Sequence, residues 1–338
     1  MTALPLGKLP PDLLRRLLTR RPPNGPRVLL GPGMGLDCAV VDFGETLLIA
    51  KSDPITLATT SIGRYAVHIN ANDVATTGAR PRWFLATILL PEGRSDETGV
   101  EALWEEVTAT CRSIDVELIG GHTEVTQGLE RPILAGTMLG EVEPDRLITP
   151  RGARPGDALL LTKGIPLEAA CVLARDYSHL LPAIDPQILE RARRYLEDPG
   201  ISVLPEAAAA ASTGAVTAMH DLTEAGLAGG LSELAEAAGV ALIVDAESIP
   251  LLEEASIICA AAQINPLTAL ASGSLLLTVK EDHEEPVVRA IQAAGRKVAR
   301  IGEVVDGRGV AMRKDGKEGE LPRPERDALA VWLESRSI

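Results

Sequence analysis

Short aliphatic runs that stop at acidic or glycine-rich residues recur along this chain, and they restrict what it can fold into. Thr46 to Ala50 (TLLIA) is β-rich, and Asp53 falls just past its end. Val116 to Ile119 runs into Gly120-Gly121-His122-Thr123-Glu124, and Val216 to Met219 runs into His220-Asp221-Leu222-Thr223-Glu224. Runs of four or five apolar residues are strand-length, and helical-period segments lie between them. The expectation is a mixed α/β protein with several acidic strand ends. Hydrophobic residues make up 46% of the chain but aromatics only 2%, so its core must be built from Leu, Val, Ile and Ala.

Ser61 to Thr77 is expected to be a helix, with Ile62, Ala66 and Ile69 on one stripe and Gly78 and Pro81 as stop signals. Asn70, Asp73 and Thr77 share another face of it. That polar strip is either a solvent edge or the wall of a polar site. Trp83 to Leu90 and Pro132 to Val142 read as strands, and Asp96 to Ile114 as a helix. The polar, Pro- and Gly-containing stretch Arg151 to Gly156 marks a domain boundary. It divides the chain into an N-terminal domain, residues 1–150, and a C-terminal domain, 151–338. The second half starts with a strand at Asp157 to Lys163. Helices follow over Pro166 to Tyr177, Pro186 to Glu197 and Pro205 to Ser212, and Leu227, Leu231, Leu234 and Ala238 form the stripe of another that ends near Gly239. Residues 11–20 (PDLLRRLLTR) form a short amphipathic helix, read as a surface helix whose basic side chains could dock on an acidic face.

Two local patterns have two readings each. Gly31-Pro-Gly33-Met-Gly35 leads to Asp37 but lacks the Gly-Lys-Ser/Thr of a Walker loop, and a strand follows it where a dinucleotide fingerprint needs a helix. Its glycines could let backbone amides approach an anion, or the segment is a hairpin-like connection with Asp37 as a turn residue. Asp221-Leu-Thr-Glu224 ahead of an apolar helix is a capping box, and a helix N-terminus there also attracts anions.

The formal net charge is −14, which disfavours nucleic acid as a partner. Cys38, Cys111, Cys171 and Cys259 lie far apart with no zinc spacing, as expected of free thiols in a reducing cytoplasm. No signal-peptide segment or run of about 18 apolar residues occurs, so a cytoplasmic protein without a membrane span is expected.

Taken together, Gly33 to Ala39, Ser52-Asp-Pro54, Asn72 to Pro81, Gly120 to Thr123 and Asp221 to Leu227 resemble, in order and spacing, the AIR synthase (PurM-like) superfamily, and most closely its AIR synthase-related, HypE-like branch. The resemblance spans about residues 25–305. It implies a two-domain PurM-like α/β fold, a homodimer that pairs the N-terminal sheets, and ATP with magnesium as cofactors. It implies phosphoryl transfer from ATP to a small-molecule or protein-borne acceptor of carbonyl or amide type. A nucleotide-binding scaffold or regulatory partner in hydrogenase-type metalloenzyme maturation is the alternative.

Carried over residue by residue, the resemblance makes Asp37, Asp53, Asp73 and Asp221 catalytic. Gly33, Gly35, Lys51, Asn72, Gly120, Gly121, His122, Thr123 and Glu224 become cofactor-binding, and Asp37, Asp53, Asp73 and Glu124 metal-binding. Magnesium prefers carboxylate, water and phosphate oxygens, which suits the acidic set. Two departures stand out. His122 occupies a position where relatives carry an acidic residue; Glu124 could replace it, or His122 supports the site by a hydrogen bond. The sequence also reads Glu334-Ser-Arg-Ser-Ile338 where HypE carries its substrate group on a C-terminal cysteine, so that reaction is not expected in cis.

Overall fold

The computed structural model describes residues 4–336, which divide into two compact units. The first comprises Pro26–Gly31 and Cys38–Leu147; the second comprises residues 4–25, Pro32–Asp37 and 148–336. The chain begins with helix α1 (Pro11–Thr19), which belongs to the second unit.

The first unit is a six-stranded sheet backed by two helices. Its strands are β1 (Val28–Leu30), β2 (Ala39–Asp42), β3 (Leu47–Ile55), β4 (Arg80–Pro91), β5 (Glu117–Thr126) and β6 (Ile133–Val142), in the order β1-β2-β3-β6-β4-β5. All neighbours are antiparallel except β4 and β5. Helix α2 (Ile62–Thr76) crosses the sheet, and α3 (Glu97–Ser113) packs beside it.

Every residue of α2 except Arg64 is buried, Asn70, Asp73 and Thr76 included, so its polar strip is not a solvent edge. Two glycines in β6 make room for the helix. A Cβ on Gly136 would stand 2.6 Å from Asn70 Nδ2 and from a Phe84 ring carbon, and one on Gly140 would stand 2.4 Å from Val74 Cγ1. Glu106 of α3 accepts the Gly63 N–H at 2.9 Å, which satisfies a donor of the first turn of α2.

The second unit is built on a seven-stranded sheet. Its strands are β7 (Asp157–Thr162), β8 (Val216–Asp221), β9 (Ala241–Asp245), β10 (Leu275–Lys280), β11 (Val298–Val305), β12 (Gly309–Lys314) and β13 (Lys317–Glu320), in the order β13-β12-β9-β11-β7-β10-β8. The helices are α4 (Leu167–Asp176), α5 (Pro186–Arg193), α6 (Leu204–Ser212), α7 (Gly226–Ala238), α8 (Glu253–Ala262), α9 (Glu284–Ala293) and α10 (Ala328–Glu334). The core of this unit is aliphatic, with Leu159, Leu161, Leu231, Leu234, Leu242 and Leu276 fully buried.

Several boundaries differ from those expected. Asp53 lies within β3, and Gly120 to Glu124 lie within β5, because backbone pairing with β6 and with β4 carries each strand past its apolar run. The capping box at Asp221 does not form. Asp221 ends β8, and α7 starts only at Gly226, capped by Ala225; both residues have positive φ. Tertiary contact sets that turn: Asp327 Oδ2 accepts the Ala225 N–H at 2.7 Å, and a Cβ on Gly226 would stand 2.5 Å from Ala269 O. Pro186 to Glu197 is helical only to Arg193 and ends in a 3-10 turn. Helices α8 and α10 and the β12–β13 hairpin were not anticipated.

Asp327 also accepts from Leu329 N at 2.7 Å and so caps α10. Burial raises its carboxyl to about 6, against the lowering effect of these backbone donors. A raised carboxyl binds its proton more tightly in the folded chain than in the unfolded one. Its contribution to stability is therefore full below pH about 4 and is lost as the pH rises through about 6. Denaturant unfolding should show this as wild-type stability falling relative to Asp327→Asn across that interval; parallel profiles would contradict the assignment. In the first unit, Gly136→Ala should destabilise by roughly 1–3 kcal/mol through overpacking. Gly120→Ala, whose Cβ meets nothing closer than 3.8 Å, should be nearly neutral on that count.

Candidate functional site

In each unit a cluster of charged residues gathers acidic residues expected from the sequence. In the first unit, β3 presents Lys51 and Asp53, and α2 presents Asp73. Lys51 Nζ lies 3.2 Å from Asp73 Oδ2 and 3.4 Å from Asp53 Oδ2. Lys51 is therefore not a plain surface residue: its side chain is only 13% exposed. The Asp73 side chain is 2% exposed, so its charge needs this cation. Asn70 ties the helix to the strand by donating to Asp53 O at 3.2 Å and to Ala66 O at 2.8 Å. Asn72 is also buried on α2, about 100° around the axis from Asp73.

The cluster thus holds a cation between two carboxylates on neighbouring elements. An all-oxygen donor pair of this kind fits magnesium, and Lys51 occupies the position of a positive charge there.

The Gly120 to Glu124 segment stands apart from that cluster. Strand β5 is the sheet edge, three strands from β3, or roughly 14 Å at normal spacing. His122 and Glu124 point the same way, two residues apart, and His122 Nε2 meets Glu124 Oε2 at 3.1 Å. Both are exposed. Gly121 has φ +143°, and a Cβ there would stand 1.9 Å from Ala86 O, so this glycine serves the pairing of β5 with β4.

The second cluster is centred on His220, which is 2% exposed. Its Nδ1 lies 2.9 Å from Asp37 Oδ2, and its Nε2 lies 3.1 Å from Glu233 Oε2 on α7. Glu233 Oε1 in turn receives Arg323 at 2.8 Å. Glycines permit this assembly. Gly35 has φ +66°, and a Cβ there would stand 2.4 Å from Glu233 O, so the loop lies directly on α7. Gly230 leaves room for the His220 ring, since its Cβ would stand 3.3 Å from His220 Cδ2. A Cβ on Gly33 would meet Leu36 Cδ1 at 2.7 Å. In this unit Gly33 and Gly35 thus serve the packing of their own loop.

One donor atom from each of Asp37, His220 and Asp221 lies within 4.8 Å of the others. The set has the donor spacing of a metal site, with His220 and Asp221 buried and Asp37 half-buried. Burial alone would lower its ionisation, but the Asp37 and Glu233 carboxylates hold it well above the usual histidine range. Burial raises Glu233, and the His220 bond and the Lys8 charge outweigh that and lower it. His220 is bonded to Glu233 through Nε2, while its Nδ1 faces Asp37 Oδ2 without hydrogen-bond geometry. The oxygen donors in this cluster are Asp37 and Asp221.

Lys8 reaches the neighbouring turn, 3.2 Å from both Glu224 Oε2 and Thr223 Oγ1. Arg15 of α1 pairs with Glu236 through two bonds of 2.9 and 3.1 Å, so that helix does dock on an acidic face. Sequence reading missed His220, Glu233 and Arg323 as a group, because only the fold brings them together. The four cysteines are buried, and burial pushes Cys111 up to about 11 and Cys259 up to about 12, which suits inert core thiols. Among the described residues, no helix is long and apolar enough to cross a membrane.

Two α/β units with mixed sheets, each carrying a partly buried acidic cluster, define the two-domain PurM-like class. The model for the N-terminal domain of AIR synthase related proteins matches residues 35–142, and that for the C-terminal domain matches 154–315. The carbamoyl dehydratase HypE of Cupriavidus necator is 30% identical over 254 residues, 73% of this chain and 69% of that protein. The HypE of Rhodobacter capsulatus is 29% identical over 319 residues, 90% of this chain and 87% of that protein. The chain belongs to the AIR synthase-related family, in its HypE-like branch.

Solved structures share the fold at lower identity. HypE in complex with ATP superposes with a TM-score of 0.67 at 22% identity, covering 91% of this chain and 92% of that one. A ThiL complexed with AMPPCP and TMP gives 0.71 at 22%, covering 93% and 94%. A HypE–HypF complex gives 0.70 at 22%, covering 86% and 94%.

The Lys51 cluster makes a direct prediction. Lys51→Met should leave two carboxylates without their cation and lower the unfolding midpoint in metal-free buffer. Added magnesium should recover most of that loss; a loss that magnesium leaves unchanged would show that the carboxylates do not accept a divalent cation.

Proposed function

We propose that this protein is an ATP- and magnesium-dependent phosphoryl-transfer enzyme acting on an amide- or carbonyl-type acceptor. The observation that carries the reading is the partly buried Lys51–Asp53–Asp73 cluster, in which a cation sits between two carboxylates from β3 and α2. Asp53 and Asp73 hold the metal, and Lys51 turns from them toward phosphate oxygens when nucleotide binds. Magnesium, when bound, neutralises charge on the transferring phosphoryl group. Asn70 keeps strand and helix in register, so the carboxylates need little rearrangement. Asp37 and Asp221 form the corresponding oxygen pair of the second unit, and Asn72, Gly120, Gly121, His122, Thr123, Glu124 and Glu224 complete the residues assigned to nucleotide, metal or acceptor.

The relatives support this assignment. One HypE structure holds ATP and a ThiL holds AMPPCP, both on this fold. The sequence relatives are named carbamoyl dehydratases, and a carbamoyl group is an amide whose phosphorylated oxygen becomes a leaving group. The acceptor here is a small molecule or a group borne on another protein, and the HypE–HypF complex favours a maturation partner for the second case.

A homodimer through β5 is part of the same proposal. Eight of the ten β5 residues are exposed at a sheet edge, among them Ile119 and Val125. Beside the strand, Ile88, Val100, Leu103, Trp104 and Thr123 line a groove of about 600 Å3. An exposed edge of this length with apolar side chains is a template for a second copy. Sedimentation should give twice the 35.6 kDa chain mass, and Trp104→Glu should shift the protein toward monomer. A wild-type monomer at high micromolar concentration would overturn this part.

Isothermal titration with ATP and magnesium tests the cluster. Asp73→Asn should weaken binding by about 10-fold or more while the far-UV spectrum stays unchanged. A folded variant with wild-type affinity would remove Asp73 from the site.

A further inference from the structure

One pocket of the second unit contains none of the residues assigned above. It lies where the end of β7 meets the start of β11 and the C-terminus of α9, and its volume is about 560 Å3. Leu161, Pro250, Val298 and Ala299 give it an apolar side, and Arg296 and Lys297 give it a basic one. None of the described residues that line it is acidic, in a chain of net charge −14. Strand pairing builds its floor: Ala299 stands opposite Leu161, and Lys163 N donates to Lys297 O at 2.8 Å.

The basic charge is not cancelled from behind. The Lys163 side chain is only 1% exposed and turns inward. Its Nζ donates to Gly200 O at 2.8 Å and to Ser202 O at 2.6 Å, and it lies 2.9 Å from Glu206 Oε1. Glu206 is wholly buried, so its charge is matched by that of Lys163. Arg296 Nε lies 3.6 Å from Glu206 Oε2, beyond hydrogen-bond reach, and among the described residues neither of these buried atoms has a hydrogen-bond partner. Three cations thus meet one carboxylate, and the excess positive charge belongs to Arg296 and Lys297.

Arg296 is nevertheless held in place. Its Nη1 donates to Pro199 O at 3.1 Å, while 29% of the side chain stays exposed. The end of α9 is capped without it. Gly295, with φ +76°, donates its N–H to Gln292 O at 2.9 Å, and Arg296 N donates to Ile291 O at 3.2 Å. A guanidinium anchored at one nitrogen and partly exposed is preorganised for a carboxylate, whose two oxygens match its fork. The partial negative charge of the helix C-terminus favours a monoanion there over a doubly charged phosphate. The volume falls within the roughly 300–1,000 Å3 usual for small-molecule sites, and the apolar side suits a ring or alkyl body.

We propose that this pocket binds a small organic acid, with its carboxylate on Arg296 and Lys297 and its apolar body against Leu161, Val298 and Ala299. None of these residues serves the metal–nucleotide reading, so the site stands or falls separately from it.

Isothermal titration of the full chain, without nucleotide or metal, tests the site with benzoate as probe and uncharged benzamide as control. Wild type should bind benzoate saturably and benzamide about 10-fold or more weakly, the loss expected when a charge-assisted hydrogen bond becomes a neutral one. Inorganic phosphate should bind more weakly than benzoate. Arg296→Gln should lose about 10-fold or more in benzoate affinity, and Arg296→Lys should keep only part of it, because the charge remains without the fork. Lys297→Ala should lose a smaller factor. Ala299→Phe adds bulk on the apolar side and keeps both cations, so it should also lose about 10-fold or more. Circular dichroism checks folding, and Lys297→Ala and Ala299→Phe carry the test where Arg296→Gln does not fold. Wild type without saturable benzoate binding, or folded Lys297→Ala and Ala299→Phe with wild-type affinity, would overturn the proposal. Phosphate binding more tightly than benzoate would mark an adventitious ion only and would equally overturn it.

Discussion

A carboxylate taken out of water must meet a cation or a set of donors, and this chain meets that demand repeatedly. Desolvating an unpaired charge costs several kcal/mol, more than most single contacts return. Asp73 is matched by Lys51, and Asp37 and Glu233 by His220 and Arg323. Glu206, fully buried behind β7, is matched by Lys163 at 2.9 Å. Asp327 is met by backbone donors, which offset only part of the effect of its burial, so its carboxyl stays raised. Each pairing fixes two elements against each other: β3 to α2, β8 to α7, β7 to α6, and α10 to the turn before α7. Charge pairing of this kind adds specificity of arrangement to an aliphatic core that has few aromatic anchors.

The two clusters solve the pairing problem differently. Around Asp53 and Asp73 the cation is a lysine, a flexible point charge that can leave when a divalent ion arrives. Beside Asp37 stands the His220 imidazole, packed against Gly230 and bonded to Glu233 through Nε2. The first arrangement suits exchange of one cation for another. Glycine makes both possible, since Gly136 admits α2 to the sheet and Gly35 admits its loop to α7.

Much of this was legible in the sequence, for physical reasons that can be named. The stripe Ile62, Ala66, Ile69 marks α2 because helical period is a local property, and the acidic motifs mark the family because their order is linear. What escaped depends on distant residues. Asp53 looked like a residue past a strand because the apolar run ends at Ala50, yet pairing with β6 continues to Ile55. Asp221 to Glu224 had the pattern of a capping box, but Asp327, about a hundred residues away, takes the Ala225 N–H and the backbone turns left-handed there. His220 reads locally only as the residue before the expected cap, a weak candidate for substrate contact; its neighbours Asp37 and Glu233 are set by the fold. The β12–β13 hairpin offers only the short apolar run Val310-Ala-Met312 before charged residues, and β13 (KEGE) has no apolar side chain, so no hydrophobic alternation announces it.

The central claim is that the Lys51–Asp53–Asp73 cluster serves magnesium bound together with a nucleotide. Thermal unfolding of the wild-type chain with ATP plus magnesium, with each alone, and with ATP and a chelator tests it most directly. Ligand at about 100 times its dissociation constant stabilises a folded protein by roughly 2.7 kcal/mol, which for units of this size raises the midpoint by several degrees. The account predicts that rise only when ATP and magnesium are both present. An unchanged midpoint in all four conditions, with nucleotide in millimolar excess over a folded protein, would contradict it.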